Sequence, residues 1–497
     1  MVKSRFAALF SVTAALTVLI AGWAPTNAQA SGAPDFRTIV RLEQGRSLGN
    51  GALAGFLQER DPIVAARAAL AIGRTKQRAG IPLLRAHLAD RNAGVRAMSV
   101  YGLGLLADAA TAPKLLQLVS SDPSGAVRVA ALDALNRFET AKRLAGNVEA
   151  RAAGKIVLVL RHSPDPILRE RAAAALEAFR DGGSATAVAR GLAAAFSSER
   201  NADVRWHIVW TIYRAYPQRV PRATLAAALR DNSELVRIEA VRAYGRLKNA
   251  DAIAALTPLL NDSSWRVQEQ TIESIKALRG EPLTDHLTQI PSGIHVPKPI
   301  VQNFMELAPL PRPTFTGKPS APNADEALDN PKLTLASSAS MNGPMPGPHP
   351  QVRIKTTKGT IVVELFPEWA PLTVANFLNL TNRGYYDGNR WFRIVPDFVA
   401  QTGDPNDNGE GDAGYTIGAE ENPLEQSSYI LSMGMNYNKS GPIRDSAGTQ
   451  FYITLSPQLH LDRDFTVFGR VVAGFDVLGR LIESDRMIRV EQIPDSK

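Results

Sequence analysis

The chain has 497 residues, of which 45% are hydrophobic and 21% charged, with 56 Lys+Arg against 48 Asp+Glu and no cysteine. That length is too great for one ordinary domain, and the composition is globular, not fibrous or low-complexity. Without cysteine there is no disulfide framework, no thiol nucleophile, no thiolate metal site and no lipid-anchored cysteine.

The first thirty residues, "MVKSRFAALFSVTAALTVLIAGWAPTNAQA", place Lys3 and Arg5 ahead of an apolar run from Phe6 to about Gly22, followed by the small-x-small triplet Ala28-Gln29-Ala30. This pattern predicts a bacterial-type secretory signal peptide over residues 1–30, hence a periplasmic or secreted product. The alternative is an uncleaved membrane anchor. Against it, the run is short for a span and is diluted by Ser11, Thr13 and Thr17. No other segment has the length and apolarity to cross a membrane, so no stable span is expected after cleavage.

From residue 36 to 280 a degenerate unit recurs: an Asp, then Val or Leu beside an Arg, then an Ala-rich helix. Copies begin at Asp61, Asp90, Asp122, Asp165, Asp203, Asp231 and Asp262, with marker arginines Arg67, Arg96, Arg128, Arg169, Arg205, Arg237 and Arg266 at steps of 29 to 41 residues. Each unit reads as two helices and a turn, with the Asp as N-cap of the second helix. One such pair cannot bury its apolar face alone, but a stack can. The series resembles HEAT-like repeats, and the resemblance implies an all-α solenoid whose Asp and Arg pair between neighbouring units. Within "RWHIVWTIYRAY", Trp206, Trp210 and Tyr213 fall on one helix face, as core packing requires. No catalytic constellation appears in the array, which reads as a platform for a client or protein partner. Residues 31–280 carry 36 Lys+Arg against 23 Asp+Glu, a net of +13, whereas residues 351–497 carry 14 against 19, a net of −5. Export argues against nucleic acid as the partner of the basic part. An acidic protein fits it better, and the C-terminal domain is one candidate.

Residues 281–350 hold 14 prolines among polar runs such as "GKPSAPNADEALDNPK", which excludes regular helix and central strand and predicts a semi-extended linker. Its apolar piece Ile300–Leu310 could dock on a neighbour. Beyond Pro350 short alternating strands with Gly turns take over. "QVRIKTTKGTIVVELF" reads as a hairpin about Lys358-Gly359, and "APLTVANFLNLTNRGYY" as a helix opened by Pro371 and closed by Gly384. Strands are expected at Trp391–Val395, Phe398–Thr402, Tyr429–Met433, Phe451–Leu455 and Phe465–Val472, then a helix over "GFDVLGRLIES" and a last strand over "MIRVEQI". Many strands and two helices predict a mainly-β closed antiparallel barrel.

Four blocks, "ELFPEWAPLTVANFLNL", "WFRIVPDFVAQTGDP", "AGTQFYI" and "LDRDFTVFGRV", occur in this order. Together they resemble the cyclophilin-type peptidyl-prolyl cis-trans isomerases over residues 351–497. The resemblance implies Arg393 as the catalytic residue. It also implies a substrate groove built from Phe398, Val399, Gln401, Gln450, Tyr452, His460, Leu461 and Phe465, which takes proline-containing peptides or unfolded proteins. No metal or other cofactor is implied, and the seven histidines show no ligand spacing. The pattern departs from the family at several points. Val399 stands where Met is usual, Tyr452 for Phe, His460 for Trp and Phe465 for His. About six extra residues lie between Gly434-Met435-Asn436 and Ser446, where backbone groups would grip the residue before proline. Two readings stay open: an exported isomerase that assists folding, and a non-catalytic scaffold or chaperone that holds proline peptides. For Arg393 the competing reading is a buried arginine paired with a carboxylate.

Overall fold

The computed structural model describes residues 36–247, 250–280, 349–439 and 441–494. The expected signal peptide, and all but the last two residues of the expected linker together with Ile300–Leu310, lie outside the described residues. The chain divides into two compact units, Met1–Gly102 with Met305–Lys497, and Leu103–Phe304.

The second unit is helical throughout its described residues. The helices Pro166–Ala175, Ala202–Ala215, Glu234–Gly245 and Trp265–Arg279 pack side by side in series. The marker arginines explain the register of this stack. Arg169 forks onto Glu199 at 2.7 and 3.1 Å, Arg205 onto Asp231 at 2.6 and 2.9 Å, and Arg237 onto Asp262 at 2.8 and 2.7 Å. Each acid also accepts a backbone N–H in the turn that opens the following helix: Asn201 at 2.8 Å, Ser233 at 2.9 Å and Ser264 at 2.8 Å. One carboxylate therefore fixes a turn and joins two repeats. Burial opposes ionisation of Glu199 and Asp231, yet the arginine hydrogen bonds and backbone donors hold both below the usual carboxylate range.

The repeated Asp is not uniformly the cap. Asp61 and Asp165, each followed by proline, are caps and accept from Ile63 N at 2.9 Å and Ile167 N at 3.0 Å, whereas Asp122, also followed by proline, stands outside its helix, whose N-cap is Ser124. Asp203 lies inside its helix; Asn201 caps Asp203 and Val204, and Glu199 takes the arginine. Arg128 bonds the Val119 carbonyl at 3.0 Å, and Arg266 turns back to Glu234 at 3.0 Å. Trp206 and Trp210 are buried, as the helical spacing predicts, while Tyr213 is half-buried with the Arg246 guanidinium 4.3 Å from its ring.

In the first unit the helices Phe36–Gln44, Ala52–Leu57, Pro62–Arg74 and Ile81–Ala86 and the start of Ala93–Leu105 accompany the strand-rich domain. Helices Pro62–Arg74 and Ala93–Leu105 touch backbone to backbone. A Cβ on Gly73 would lie 2.5 Å from the Gly102 Cα, a distance no side chain tolerates.

The strands are β1 (Gln351–Thr356), β2 (Gly359–Leu365), β3 (Arg393–Val395), β4 (Val399–Thr402), β5 (Ile430–Met433), β6 (Tyr437–Asn438), β7 (Gly441–Pro442), β8 (Phe451–Thr454), β9 (Val467–Ala473) and β10 (Met487–Ile493). Eight of them form one antiparallel sheet in the order β10-β1-β2-β9-β5-β8-β4-β3, and β6 and β7 make a separate hairpin. The sheet curls into a half-barrel, not a continuously laddered closed one. Its edges β3 and β10 meet through the single bridge Arg390–Arg486, flanked by Trp391 N–H to Asp485 O and Met487 N–H to Asn389 O, both 2.9 Å. The expected helix over "GFDVLGRLIES" is one turn, Phe475–Leu478, started by Gly474 at φ 85°. Helix Pro371–Asn382 covers the barrel. Its Phe377 meets Tyr386, Phe451 and Phe468 at ring separations of 5.2, 5.2 and 5.3 Å. The helix has no capping side chain of its own. Glu420, fully buried, supplies one by accepting from Leu372 N at 3.1 Å and Thr373 N at 2.8 Å.

The segment that carries Glu420 also joins the barrel to the first repeat. Arg74, with no exposed surface, donates to the carbonyls of Glu421 (2.6 Å), Trp369 (2.8 Å) and Glu420 (3.3 Å), and to Glu43 Oε1 at 2.8 Å. Arg67 holds the other Glu43 oxygen, and Lys76 and Arg444 both reach the Glu421 carboxylate. Burial alone would raise the Glu43 carboxyl; the two guanidiniums override it and bring it down from 4.5 to about 2. A carboxyl lowered on folding stabilises above its unfolded pKa and loses that contribution as pH falls toward the folded one. Glu43→Gln should therefore cost ~3 kcal/mol of stability at pH 7, typical of breaking a buried pair, and lower the melting temperature accordingly. The gap from wild type should narrow as pH is lowered from about 4.5 toward 2, which thermal scans of both proteins across that range will measure.

Candidate active site

The half-barrel places a row of side chains on its outer face through simple alternation. In register, Arg393 of β3 faces Gln401 of β4, Gln401 faces Tyr452 of β8, and Tyr452 faces Ser432 of β5. The intervening residues Ala400, Leu431 and Ile453 point the other way and are fully buried in the barrel core, with Ile394 packed against them. The strand "WFRIVPDFVAQTGDP" thus carries polar and aromatic residues because one of its faces is the floor of a groove.

Beside this row lies a compact apolar slot. Val399, Tyr452, Leu461 and Phe465 are buried against one another, with Phe398 and Met435 partly buried on top. Tyr452 and Phe465 meet edge to face at 5.7 Å. The short turn Leu459–Leu461 brings in Leu461 and sets His460 parallel to Phe398, with 5.6 Å between the rings. Every expected site residue falls either in the slot or in the polar row at its rim.

Arg393 is exposed. Its guanidinium carbon lies 5.2 Å from the Phe398 ring centre, and its Nη1 donates a long bond of 3.4 Å to Gln401 Oε1. Among the described residues no carboxylate pairs with it, so the buried ion-pair alternative does not hold. The amides beyond it form a directional relay. Gln450 Nε2 donates to the Gly409 and Gly411 carbonyls at 2.9 and 3.1 Å, which leaves its oxygen to accept from Gln401 Nε2 at 3.1 Å. Gln401 must then present its own oxygen to Arg393. Two glutamines, anchored on backbone, aim one guanidinium at the slot while most of its donors stay available. Gly434 closes over this relay; a Cβ there would sit 3.1 Å from Gln450 Cβ and 3.3 Å from Gln401 Nε2.

Two residues of the site lie outside the sequence expectation. Met435 packs, partly buried, against the slot residues. Tyr437, 60% exposed on β6, stands with its ring 6.1 Å from Phe465. Both belong to the stretch that departs from the family pattern, which signals a change there but not where its side chains end up.

Residues 351–493 match the family of cyclophilin-type peptidyl-prolyl cis-trans isomerases, and residues 50–136 and 220–291 match HEAT repeats. Peptidyl-prolyl cis-trans isomerase B of Bacillus subtilis is 43% identical over 135 residues, 26% of this chain and 90% of that protein. Peptidyl-prolyl cis-trans isomerase CYP18-2 of Arabidopsis thaliana is 38% identical over 27% of this chain and 82% of its own length. A peptidyl-prolyl cis-trans isomerase of Synechococcus elongatus is 37% identical over 29% and 98%. The chain belongs to the cyclophilin-type peptidyl-prolyl cis-trans isomerases. Its isomerase domain follows an N-terminal helical region of HEAT repeats.

The added hydroxyl of Tyr452 generates a prediction. It is buried beside Ser432 and Gln426 and makes no hydrogen bond of good geometry; burial pushes the phenol well above its ordinary pKa. An unpaired buried hydroxyl costs about 1–3 kcal/mol. Tyr452→Phe should therefore melt at the same temperature as wild type or higher; a marked loss in a thermal scan would mean that the hydroxyl holds the slot together.

Proposed function

We propose that this protein is an exported isomerase that assists protein folding. Arg393 is its catalytic residue, and its repeats are a platform for a client or partner protein. Rotation about an X–Pro bond faces the ~18–20 kcal/mol barrier of amide resonance, and uncatalysed it takes tens to hundreds of seconds. A catalyst has only to bind the twisted amide better than the planar one. In the twisted amide the prolyl nitrogen regains its lone pair and can accept a hydrogen bond. A guanidinium donates that bond at any physiological pH.

The observation that carries this reading is the placement of Arg393: a cation that no carboxylate among the described residues pairs with, held by the Gln401–Gln450 relay beside a compact apolar slot. In the reaction as we read it, Val399, Tyr452, Leu461 and Phe465 grip the proline ring. Phe398 and His460 wall its open side, Gln401 has one amide N–H left for a substrate carbonyl, and Gln450, whose two N–H donors are taken by Gly409 and Gly411, holds Gln401 and through it the arginine. The acyl side then rotates while Arg393 stabilises the prolyl nitrogen. Export rests on the sequence of residues 1–30, and the platform role on the HEAT match and the net positive charge of residues 31–280. A second reading, a scaffold that binds proline peptides without turnover, is favoured by one feature, the rebuilt stretch 434–446 with Met435 in the slot.

The full chain, assayed with a chromogenic Xaa-Pro peptide coupled to a conformer-specific protease, should accelerate isomerisation. Arg393→Ala should lower kcat/KM at least about tenfold, near 1.4 kcal/mol of transition-state stabilisation, with an unchanged melting temperature. A folded wild-type protein that binds the peptide without accelerating it would leave the scaffold reading in its place.

A further inference from the structure

The rebuilt stretch is an ordered addition to the groove. Its base is tied by Asn436 N–H to Ser446 Oγ (2.9 Å) and by Ile443 N–H to Asn436 O (2.7 Å), and β6 and β7 pair across it. At the same base Asp445 accepts from Ala419 N at 2.7 Å and from Arg46 Nη2 at 2.6 Å. Arg46 lies in the first repeat and also donates to the Arg74 carbonyl, so it ties the hairpin to the buried joint. Arg444 adds the Glu421 carboxylate of that joint. The hairpin is therefore held from three sides: by its own strands, by the barrel and by the first repeat.

What it presents is Tyr437. The ring is 60% exposed, the most exposed of the large hydrophobic side chains among the described residues, yet one edge lies against Phe465 of the proline slot. It is near enough to Arg393 and Asp464 to feel both charges. An aromatic ring this exposed gains little by burial in the free protein. It offers an amphipathic surface with few rotatable bonds, the kind that contributes most when a ligand covers it. Its contact with Phe465 sets it at the slot rim, next to whatever flanks a proline held there.

We infer that Tyr437 is a specificity-determining residue of the isomerase, selecting substrates with a large apolar or aromatic side chain next to proline, and that Arg46 is the positioning residue that holds its hairpin through Asp445. This rests on the assignment of the Val399–Tyr452–Leu461–Phe465 slot to proline.

The test compares full-length wild type with Tyr437→Ala, Tyr437→Phe and Arg46→Ala on two peptide series, one varying the residue before proline and one the residue after it, each from Ala through Leu to Phe. The readout is the ratio of kcat/KM for the Phe member to that for the Ala member. An aromatic contact is worth a factor of about three to ten. In one series wild type should show a preference of that size, Tyr437→Ala should lose it and Tyr437→Phe keep it. Arg46→Ala should move the same ratio in the same direction, a shift that general loss of stability would not produce. Ratios unchanged in Tyr437→Ala, or activity lowered equally for all peptides, overturn the role of the tyrosine. A ratio unmoved in Arg46→Ala overturns the positioning role. Peptide affinities measured by titration give the same ratios, so a failure of catalysis by Arg393 is separable from a failure of this selection.

Discussion

A guanidinium sealed from water has to find acceptors for its donors within the protein, and Arg74 finds them on both sides of a joint. Its bond to Glu43 lies within the first repeat; its bonds to the carbonyls of Trp369, Glu420 and Glu421 lie on the half-barrel. A lysine could meet the charge but not four acceptors spread over a plane. The arrangement also fixes the loop that it grips. Glu420, whose carbonyl receives Arg74, turns its carboxylate to the N-terminus of helix Pro371–Asn382, and Glu421 collects Lys76 and Arg444. The covering helix, the first repeat and the base of the added hairpin thus converge on two consecutive residues, and the groove lies on the barrel face beside them.

The groove itself depends on separating two demands that a protein interior usually sets against each other. The slot needs dry apolar walls, and the arginine needs water or acceptors. The sheet meets both by alternation, with core residues on one face and the row Arg393–Gln401–Tyr452 on the other. Polarity then runs outward along the relay, from the backbone carbonyls of Gly409 and Gly411 through Gln450 and Gln401 to the exposed guanidinium. Among the described residues no carboxylate pairs with Arg393, and its guanidinium stays exposed.

Much of this was legible in the chain. The period-two runs around Trp391–Thr402 and Phe451–Leu455 give the strands and the side each residue faces, and the repeated Asp and Arg give the solenoid. What could not be read depends on contacts distant in sequence. Nothing local distinguishes Arg74 from the many other arginines of the repeats, because its partners are backbone carbonyls some three hundred residues away. The cap duty of Asp203 passes to Asn201 and its pairing duty to Glu199, because a carboxylate four positions before Asp203 reaches Arg169 from the turn. The helix expected over "GFDVLGRLIES" stops after one turn. Its apolar residues Val477, Leu478 and Leu481 are satisfied in the barrel core without further helix. The placement of Tyr437 was equally hidden, since an insertion reveals its length but not the surface on which it comes to rest.

The fork from arginine to acid in the helical unit runs one way along the chain. Arg169, Arg205 and Arg237 each reach forward to the acid of the turn before the next helix, whereas Arg266, like Arg67 of the first unit, reaches back to an earlier acid. A break between two copies separates groups that are each still met within their own turns: the arginine keeps a backbone carbonyl of the turn before its helix, and the acid keeps a backbone N–H of the turn that opens the next. Each end of a shortened stack therefore exposes a charge that is partly satisfied. The copies are in this respect self-contained, and the electrostatic cost of losing one is similar from the front and from behind.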